Sequence, residues 1–336
     1  MPQVRQTPPP QLQLPHQKYY MQLRLPDEPH AQRRTRTAEQ THREHHNRHR
    51  QMSVKRKRKK SLLVLVDADM VAFRAASSAE QEIRWGESDL WTLHSFLPDA
   101  VSNMQHSCFY AYNRINDILF QEQLPYTVPN WTRWIYCFSD RTGGNFRKQV
   151  LLTYKANRAD KRKPLAYHAL VDYMCKELPS RWEQELEADD IIGLLAYKAK
   201  QDVLIISGDK DLRQIPDVWY YNFLKAEMNY VSQQEADFQF YKQALMGDPT
   251  DGYPGCPGVG EKKAEELLMK HGMAWKTLVD AYAAKGLTEA DALVQARCAY
   301  ILHSKGDYNK SRTLERRVRL WTPTTAKESH TSAETS

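Results

Sequence analysis

Aspartates close three apolar runs in this chain. Asp67 follows "LLVLV", Asp140 follows "WIYCFS", and Asp209 and Asp211 follow "VLIISG". Two further acidic groups stand apart: "ELEADDIIGLLAYK" carries Glu187, Asp189 and Asp190, and "MGDPTDGYPGC" carries Asp248 and Asp251. One aspartate after an apolar run is ordinarily a turn or helix-capping residue. Carboxylates converging from so many segments would repel strongly unless something positive sat among them, and a divalent cation answers that problem. Neither Cys nor His recurs beside these acids, so the all-oxygen set favours Mg²⁺, with Mn²⁺ as a substitute, over zinc. The candidates exceed what one ion needs. Two ions ~4 Å apart would activate a water, orient a scissile phosphate and stabilise the leaving oxygen of an in-line displacement. Glu187 and Asp190, three residues apart, are expected to share a helical face from which Asp189 points partly away. Asp69 is read as lying behind the ligands.

A phosphodiester substrate needs positive charge near those acids. The segment "RTGGNFRKQVLLTYKANRADKRKP" supplies Arg141, Arg147, Lys148, Lys155, Arg158, Lys161, Arg162 and Lys163 against one acid, Asp160. A solvated helix face is the bland reading. The functional one is a basic arch over residues 141–168, in which Lys155 and Arg158 neutralise phosphate, Tyr154 stacks on or orients a terminal nucleotide, and Arg147, Lys148, Lys161, Arg162 and Lys163 grip the backbone. In "GCPGVGEKKAEELL", Gly255, Gly258 and Gly260 permit tight turns ahead of a helix from Glu261. The open amides of that helix start suit a phosphate, with Lys262 and Lys263 adding charge. The spacing fits neither a P-loop nor a dinucleotide fingerprint.

Continuous apolar runs such as "LLVLV" and "VLIIS" read as parallel strands buried on both faces. The carboxyl edge of such a sheet is where ligands bind. Helices are expected in "PLAYHALVDYMCKEL", "ADDIIGLLAYKAK", "EKKAEELLMKHG", "MAWKTLVDAYAA" and "LTEADALVQARCAYILHS", with "RRVRLWTP" returning as a short strand. The expected division is a basic, His-rich disordered extension over 1–60, an α/β core over 61–246, a helical module over 247–322 and a disordered tail over 323–336.

Taken in order, "VDAD", "FSD…FRK…YKANR", "EADD", "ISGDKD" and "GDPTDGYPGCPGVG" resemble the flap endonuclease and 5′-to-3′ exonuclease superfamily, and most closely the 5′-to-3′ exonucleases of short-tailed bacteriophages. The resemblance spans nearly all of residues 61–322. It implies a mostly parallel central sheet with flanking helices, a PIN-like 5′ nuclease core, plus a helix-three-turn-helix module that binds duplex and often holds K⁺. It implies that Asp67, Asp140, Glu187 and Asp189 surround one divalent ion, and that Asp190, Asp209, Asp211, Asp248 and Asp251 lie around or beside a second. Lys155 and Arg158 match the family's basic residues at the base of the arch. The implied substrates are duplex DNA with 5′ ends, 5′ flaps and RNA–DNA hybrids. The implied setting is the cytoplasm of a phage-infected bacterium, in replication, recombination or host-DNA degradation. No polymerase domain follows, so a stand-alone, monomeric enzyme is expected.

The charge distribution suits that reading. The chain's formal charge is +7, yet residues 31–60 hold twelve basic and two acidic groups, and residues 1–30 three and two. Residues 61–336 are therefore net acidic, by −4, and must bind nucleic acid through local basic patches. "KRKRKK" is a weak localisation or nucleic-acid signal. The five scattered cysteines form no CxxC pair and fit a reducing compartment. No run is long and apolar enough to span a membrane, and no signal-peptide core opens the chain. Two other classes compete: a PIN-like ribonuclease, which would lack the glycine-helix module, and a DNA-binding protein that has lost its chemistry, which would have no use for so many carboxylates.

Overall fold

The computed structural model describes residues 59–86, 90–158 and 161–323. The expectations for the leader before residue 59 and the tail after 323 lie outside the described residues. The described chain already pairs at Lys60, in a two-residue parallel match of Lys60–Ser61 with Tyr126–Thr127.

Six strands form the central sheet: β1 (Leu63–Asp67), β2 (Ile135–Cys137), β3 (Ser180–Arg181), β4 (Val203–Ser207), β5 (Val218–Asn222) and β6 (Glu227–Val231). Their order is β6-β5-β4-β1-β2-β3, parallel throughout except for the β5/β6 hairpin at one edge. Asp67 stands opposite Cys137, and Val66 opposite Ile206, so β1, β2 and β4 end level with one another. The chain runs outward from β1 through β2 and β3, then returns to the other side of β1 as β4. The carboxyl edge at such a reversal is the usual ligand position in open parallel sheets.

Alternation along the strands feeds two cores. Leu65, Cys137, Val203 and Ile205 face one, and Val64, Val66, Tyr136, Leu204 and Ile206 face the other. A strand buried on both faces leaves no polar positions, which is why "LLVLV" reads as an unbroken apolar run. Each fully buried aliphatic side chain contributes about 1.5–3 kcal/mol.

Nine helices flank the sheet or follow it in the described residues: α1 (Ala68–Ser77), α2 (Leu97–Gln121), α3 (Arg147–Val150), α4 (Tyr167–Glu177), α5 (Ala188–Lys198), α6 (Gln233–Met246), α7 (Glu261–His271), α8 (Trp275–Ala283) and α9 (Glu289–Ala299). In α2, Ala100, Met104, Cys108, Ala111, Ile115 and Leu119 form one buried stripe. A hairpin of Glu80–Arg84 with Trp91–Ser95 stands between α1 and α2. The expected strand in "RRVRLWTP" reduces to a single bridge, Tyr308 with Val318. Buried residues of α7, α8 and α9 belong to the same core as Leu65 and Ile205, so the helical region is part of one packed unit with the sheet.

Candidate metal and phosphate site

The sheet's carboxyl edge gathers acids from five segments. Asp67 ends β1 and caps α1, its Oδ1 accepting from the Met70 amide at 3.3 Å and its Oδ2 from Ser207 Oγ at 2.8 Å. Burial, followed by the charge of Asp69, pushes its carboxyl up to about 7. Asp69 is already occupied, accepting from the Ser139 amide and the Tyr167 hydroxyl. Asp140 lies in the turn after β2. Its Oδ1 accepts from the amide and hydroxyl of Thr142, and its Oδ2 from the Glu185 amide at 2.7 Å. Burial opposes ionisation there, but these donors together with the Gly144 amide outweigh it and hold Asp140 below the usual range. A Cβ on Gly144 would lie 2.4 Å from Asp140 Oδ2, so that loop can approach the carboxylate only as glycine.

Asp209 and Asp211 follow β4. Asp209 caps the short 3-10 turn Lys210–Gln214 through the Asp211 amide. Asp211 accepts from Gln243 through Oδ2, while its buried Oδ1 has no partner. Burial, then Asp209, pushes its carboxyl up to about 7. Asp189, near the start of α5, is driven well above the usual range by burial and by the charges of Asp209, Asp67 and Glu187. Asp248 and Asp251 come from the loop after α6. Asp251 accepts from Tyr154, Lys155 and Arg158, and Asp248 from the amide of Thr250.

The basic segment folds onto this edge. Lys155 occupies a left-handed conformation, φ +56°, which is strained for a residue with a β-carbon. Its own amide donates to the Asp251 carbonyl at 2.7 Å, and its ammonium pairs with Glu187 and Asp251. Although Glu187 is buried, Lys155 and Arg147 bring its carboxyl down to about 2. Arg158 reaches Asp251 and the Thr250 carbonyl, and Asn157 donates to the carbonyls of Pro249 and Thr250. Farther along, Arg162 forks onto Glu80 of the hairpin yet stays 58% exposed, Lys163 lies 4.6 Å from the Tyr167 ring centre, and Lys161 is exposed. Lys148 is exposed and donates to the Gly143 carbonyl.

Four sequence expectations are corrected by this geometry. Asp190 shares a side of the helix start with Glu187, as the spacing predicts, both accepting from Arg147, but it is withdrawn from the metal candidates among which it was counted. It is fully buried, and its oxygens are held by the Arg147 guanidinium and by the amides of Glu187 and Leu302. Arg147 is 2% exposed and cannot touch a nucleic-acid backbone. Tyr154 is 2% exposed and stacks on Tyr253, so no nucleotide can stack on it; its hydroxyl instead donates to Glu187 and Asp251. Gly255 is buried with its amide on Gln295, so it offers nothing to a phosphate. Gly258 and Gly260 are exposed, as are Lys262 and Lys263, and no side chain caps α7.

The donor set suits hard divalent cations: only carboxylates, mutually repelling, with one buried oxygen left without a partner. Among the described residues, no group of three or more His, Cys, Asp or Glu side chains is already placed to hold a metal ion. Glu187 and Asp251 are turned toward Lys155, whose ammonium supplies positive charge in that part of the cluster. Sequence reasoning missed Ser207, which the run "IIS" just before Asp209 could have suggested. It also missed Gln243, which lies inside a helix and carries no local signal.

A family model described as 5′-3′ exonuclease, N-terminal resolvase-like domain, matches residues 62–241. The chain is 25% identical over 304 residues to an exonuclease of Escherichia phage T7, covering 78% of this chain and 93% of that protein. It is likewise 25% identical over 303 residues to an exodeoxyribonuclease of Enterobacteria phage T3, again covering 78% and 93%. Among solved structures, the T5 D15 protein co-crystallised with metal ions superposes with a TM-score of 0.48 at 17% identity, over 72% of this chain and 90% of that one.

Proposed function

With the family model spanning more than half of it, the chain belongs to the 5′-3′ exonuclease family, and on that premise we propose that it is a divalent-metal-dependent enzyme that hydrolyses phosphodiester bonds from the 5′ ends of duplex DNA. The observation that carries the metal dependence is the meeting of acids from five segments at one sheet edge, with Asp211 Oδ1 buried and unpartnered among them. Asp67, Asp140, Glu187 and Asp189 would hold one Mg²⁺, and Asp209, Asp211, Asp248 and Asp251 a second, with Mn²⁺ able to replace either. Ions bound there supply Lewis acidity and a water of lowered pKa.

The chain's own residues do the rest. Lys155 and Arg158, both on Asp251 in this state, are positioned to transfer their charge to a scissile phosphate, and an incoming phosphate would release Glu187 and Asp251 for metal. Arg162, Lys161, Lys163 and Lys148 form the outer basic surface that tracks the strand. The uncapped start of α7, with Gly258, Gly260, Lys262 and Lys263, binds a duplex phosphate farther along, and K⁺ in the preceding turn would strengthen it. In this reading residues 247–322 act as a helix-three-turn-helix module. The substrate range extends to 5′ flaps and RNA–DNA hybrids, and the work is done by a monomer in the cytoplasm of a phage-infected cell. No helix among the described residues is long and apolar enough to cross a membrane.

Replacing Asp140 by Ala tests the site. Cleavage should be lost while duplex binding in the presence of a divalent ion is largely kept; unchanged cleavage would remove Asp140 from the site.

A further inference from the structure

Arg147 uses every donor it has. Its Nε donates to the Cys298 carbonyl at 3.0 Å, one terminal nitrogen to Asp190 Oδ2 at 2.7 Å and Glu187 Oε2 at 3.1 Å, and the other to Asp190 Oδ1 at 2.8 Å and the Tyr300 carbonyl at 2.7 Å. Five N–H groups meet five acceptors, which is the full complement of a guanidinium. Asp190 completes the bolt by accepting from the Leu302 amide at 3.2 Å and from the Glu187 amide at 3.1 Å. The backbones also touch here: a Cβ on Gly193 of α5 would lie 2.4 Å from the Leu302 carbonyl.

These contacts join three parts of the chain that are distant in sequence: the base of the basic segment, the start of α5 that carries Glu187 and Asp189, and the backbone that leaves α9. Within this cluster Glu187 is the only side chain that also reaches Lys155, through Oε1, while its Oε2 takes Arg147 and Tyr154. Apolar residues of similar volume often replace a buried ion pair without loss of stability, so stability alone is a weak reason for a charge held this completely. A planar fork at fixed spacing does something an apolar pair cannot, which is to set the direction of a carboxylate relative to two backbone carbonyls.

We propose that Arg147 is a positioning residue that ties the orientation of Glu187, and with it Lys155, to the backbone at Cys298 and Tyr300, so that the acid site takes its working shape only when the end of the helical region is seated. The effect on turnover rests on the nuclease reading above; the tie itself does not. Two variants test it. Arg147→Lys keeps the charge but loses the fork, and the double variant Arg147→Met with Asp190→Asn removes both charges together and nearly keeps the volume. Hydrogen exchange reads the tie without any substrate: the amides of Tyr300 and Leu302 should exchange at least tenfold faster in both variants, while those of Val64–Val66 in β1 stay protected. Steady-state cleavage of a 5′-labelled duplex should then show kcat lowered 10- to 100-fold with KM changed less than threefold, and Arg147→Lys should retain more activity than the double variant. A folded double variant with wild-type kcat, or unchanged exchange at Tyr300 and Leu302 in either variant, would overturn the proposal. If wild-type protein shows no cleavage, the nuclease reading fails while the exchange result still decides whether the tie exists.

Discussion

Replacing Gly255 by Ala should destabilise the protein rather than weaken its hold on nucleic acid. Gly255 has φ +67°, and a Cβ there would sit 2.3 Å from the Gly247 nitrogen, 2.4 Å from the Met246 carbonyl carbon and 2.7 Å from the Leu245 oxygen. All three are backbone atoms, so no side chain can swing aside. A left-handed conformation costs an alanine about 1–2 kcal/mol, and forcing a methyl into packed surroundings adds about 1–3 kcal/mol. The sum, about 2–5 kcal/mol, corresponds to a fall in Tm of about 4–20 °C for a unit of this size. Gly258 provides the first control. Its φ is +72°, but the nearest atom to a Cβ is the tip of Lys285 at 3.8 Å, so alanine there incurs only the backbone term. Gly260, with φ −87° and open space around it, loses only its preference as the N-cap of α7 on going to alanine, about 0.5–1 kcal/mol. Urea and thermal unfolding of the three variants should therefore rank Gly255 far above Gly258 and Gly258 above Gly260. Equal stabilities, or a Gly255 variant of normal stability with raised KM for duplex, would refute the packing argument and return Gly255 to the phosphate site.

Three further outcomes are expected. Asp211→Asn removes a buried charge from a repelling group, so without metal its Tm should equal or exceed that of the wild type, while the stabilisation that added Mg²⁺ gives the wild type should shrink; differential scanning fluorimetry with EDTA and with Mg²⁺ reads both. Burial of His303 outweighs its Ile301 carbonyl contact and depresses its imidazole pKa below 6.5, so its contribution is complete above pH 6.5 and is lost as pH falls through the lower folded value; in His303→Gln the stability loss between pH 7 and 5 should be smaller, measured by urea unfolding. Arg162→Ala removes a pair in which Arg162 is exposed and Glu80 half-buried, and should change stability by no more than about 1 kcal/mol, while raising KM for duplex in a salt-dependent manner.

Much of the site was legible because its residues lie where strands end. "LLVLVD" and "VLIISGD" name both the buried strand and the acid at its carboxyl edge, and parallel register brings those ends level without any further information. The helical period placed Glu187 and its neighbours on a helix start and paired Glu187 with Asp190, but it could not show that Asp190 is withdrawn from the other acids. Asp190 faces inward because Arg147 waits there, and a partner 43 positions away leaves no trace in local spacing. The same blindness assigned Arg147 to the substrate: a basic residue inside a basic run looks solvated until the fold shows that it alone is buried. Gly255 failed for a related reason. A glycine that lets a loop turn and a glycine that lets two backbones touch look alike in sequence, and only the proximity of Gly247 separates them. The β5/β6 hairpin and α2 went unread, since α2 spreads its buried stripe among small residues such as Ala100, Cys108 and Ala111 that carry little hydrophobic signal.

The most direct test of the nuclease reading is cleavage of a duplex labelled separately at its 5′ and 3′ ends, with Mg²⁺ and with EDTA. Short products released from the 5′ label only when Mg²⁺ is present are the expected result. Cleavage that persists in EDTA, or that begins at the 3′ end, would contradict it.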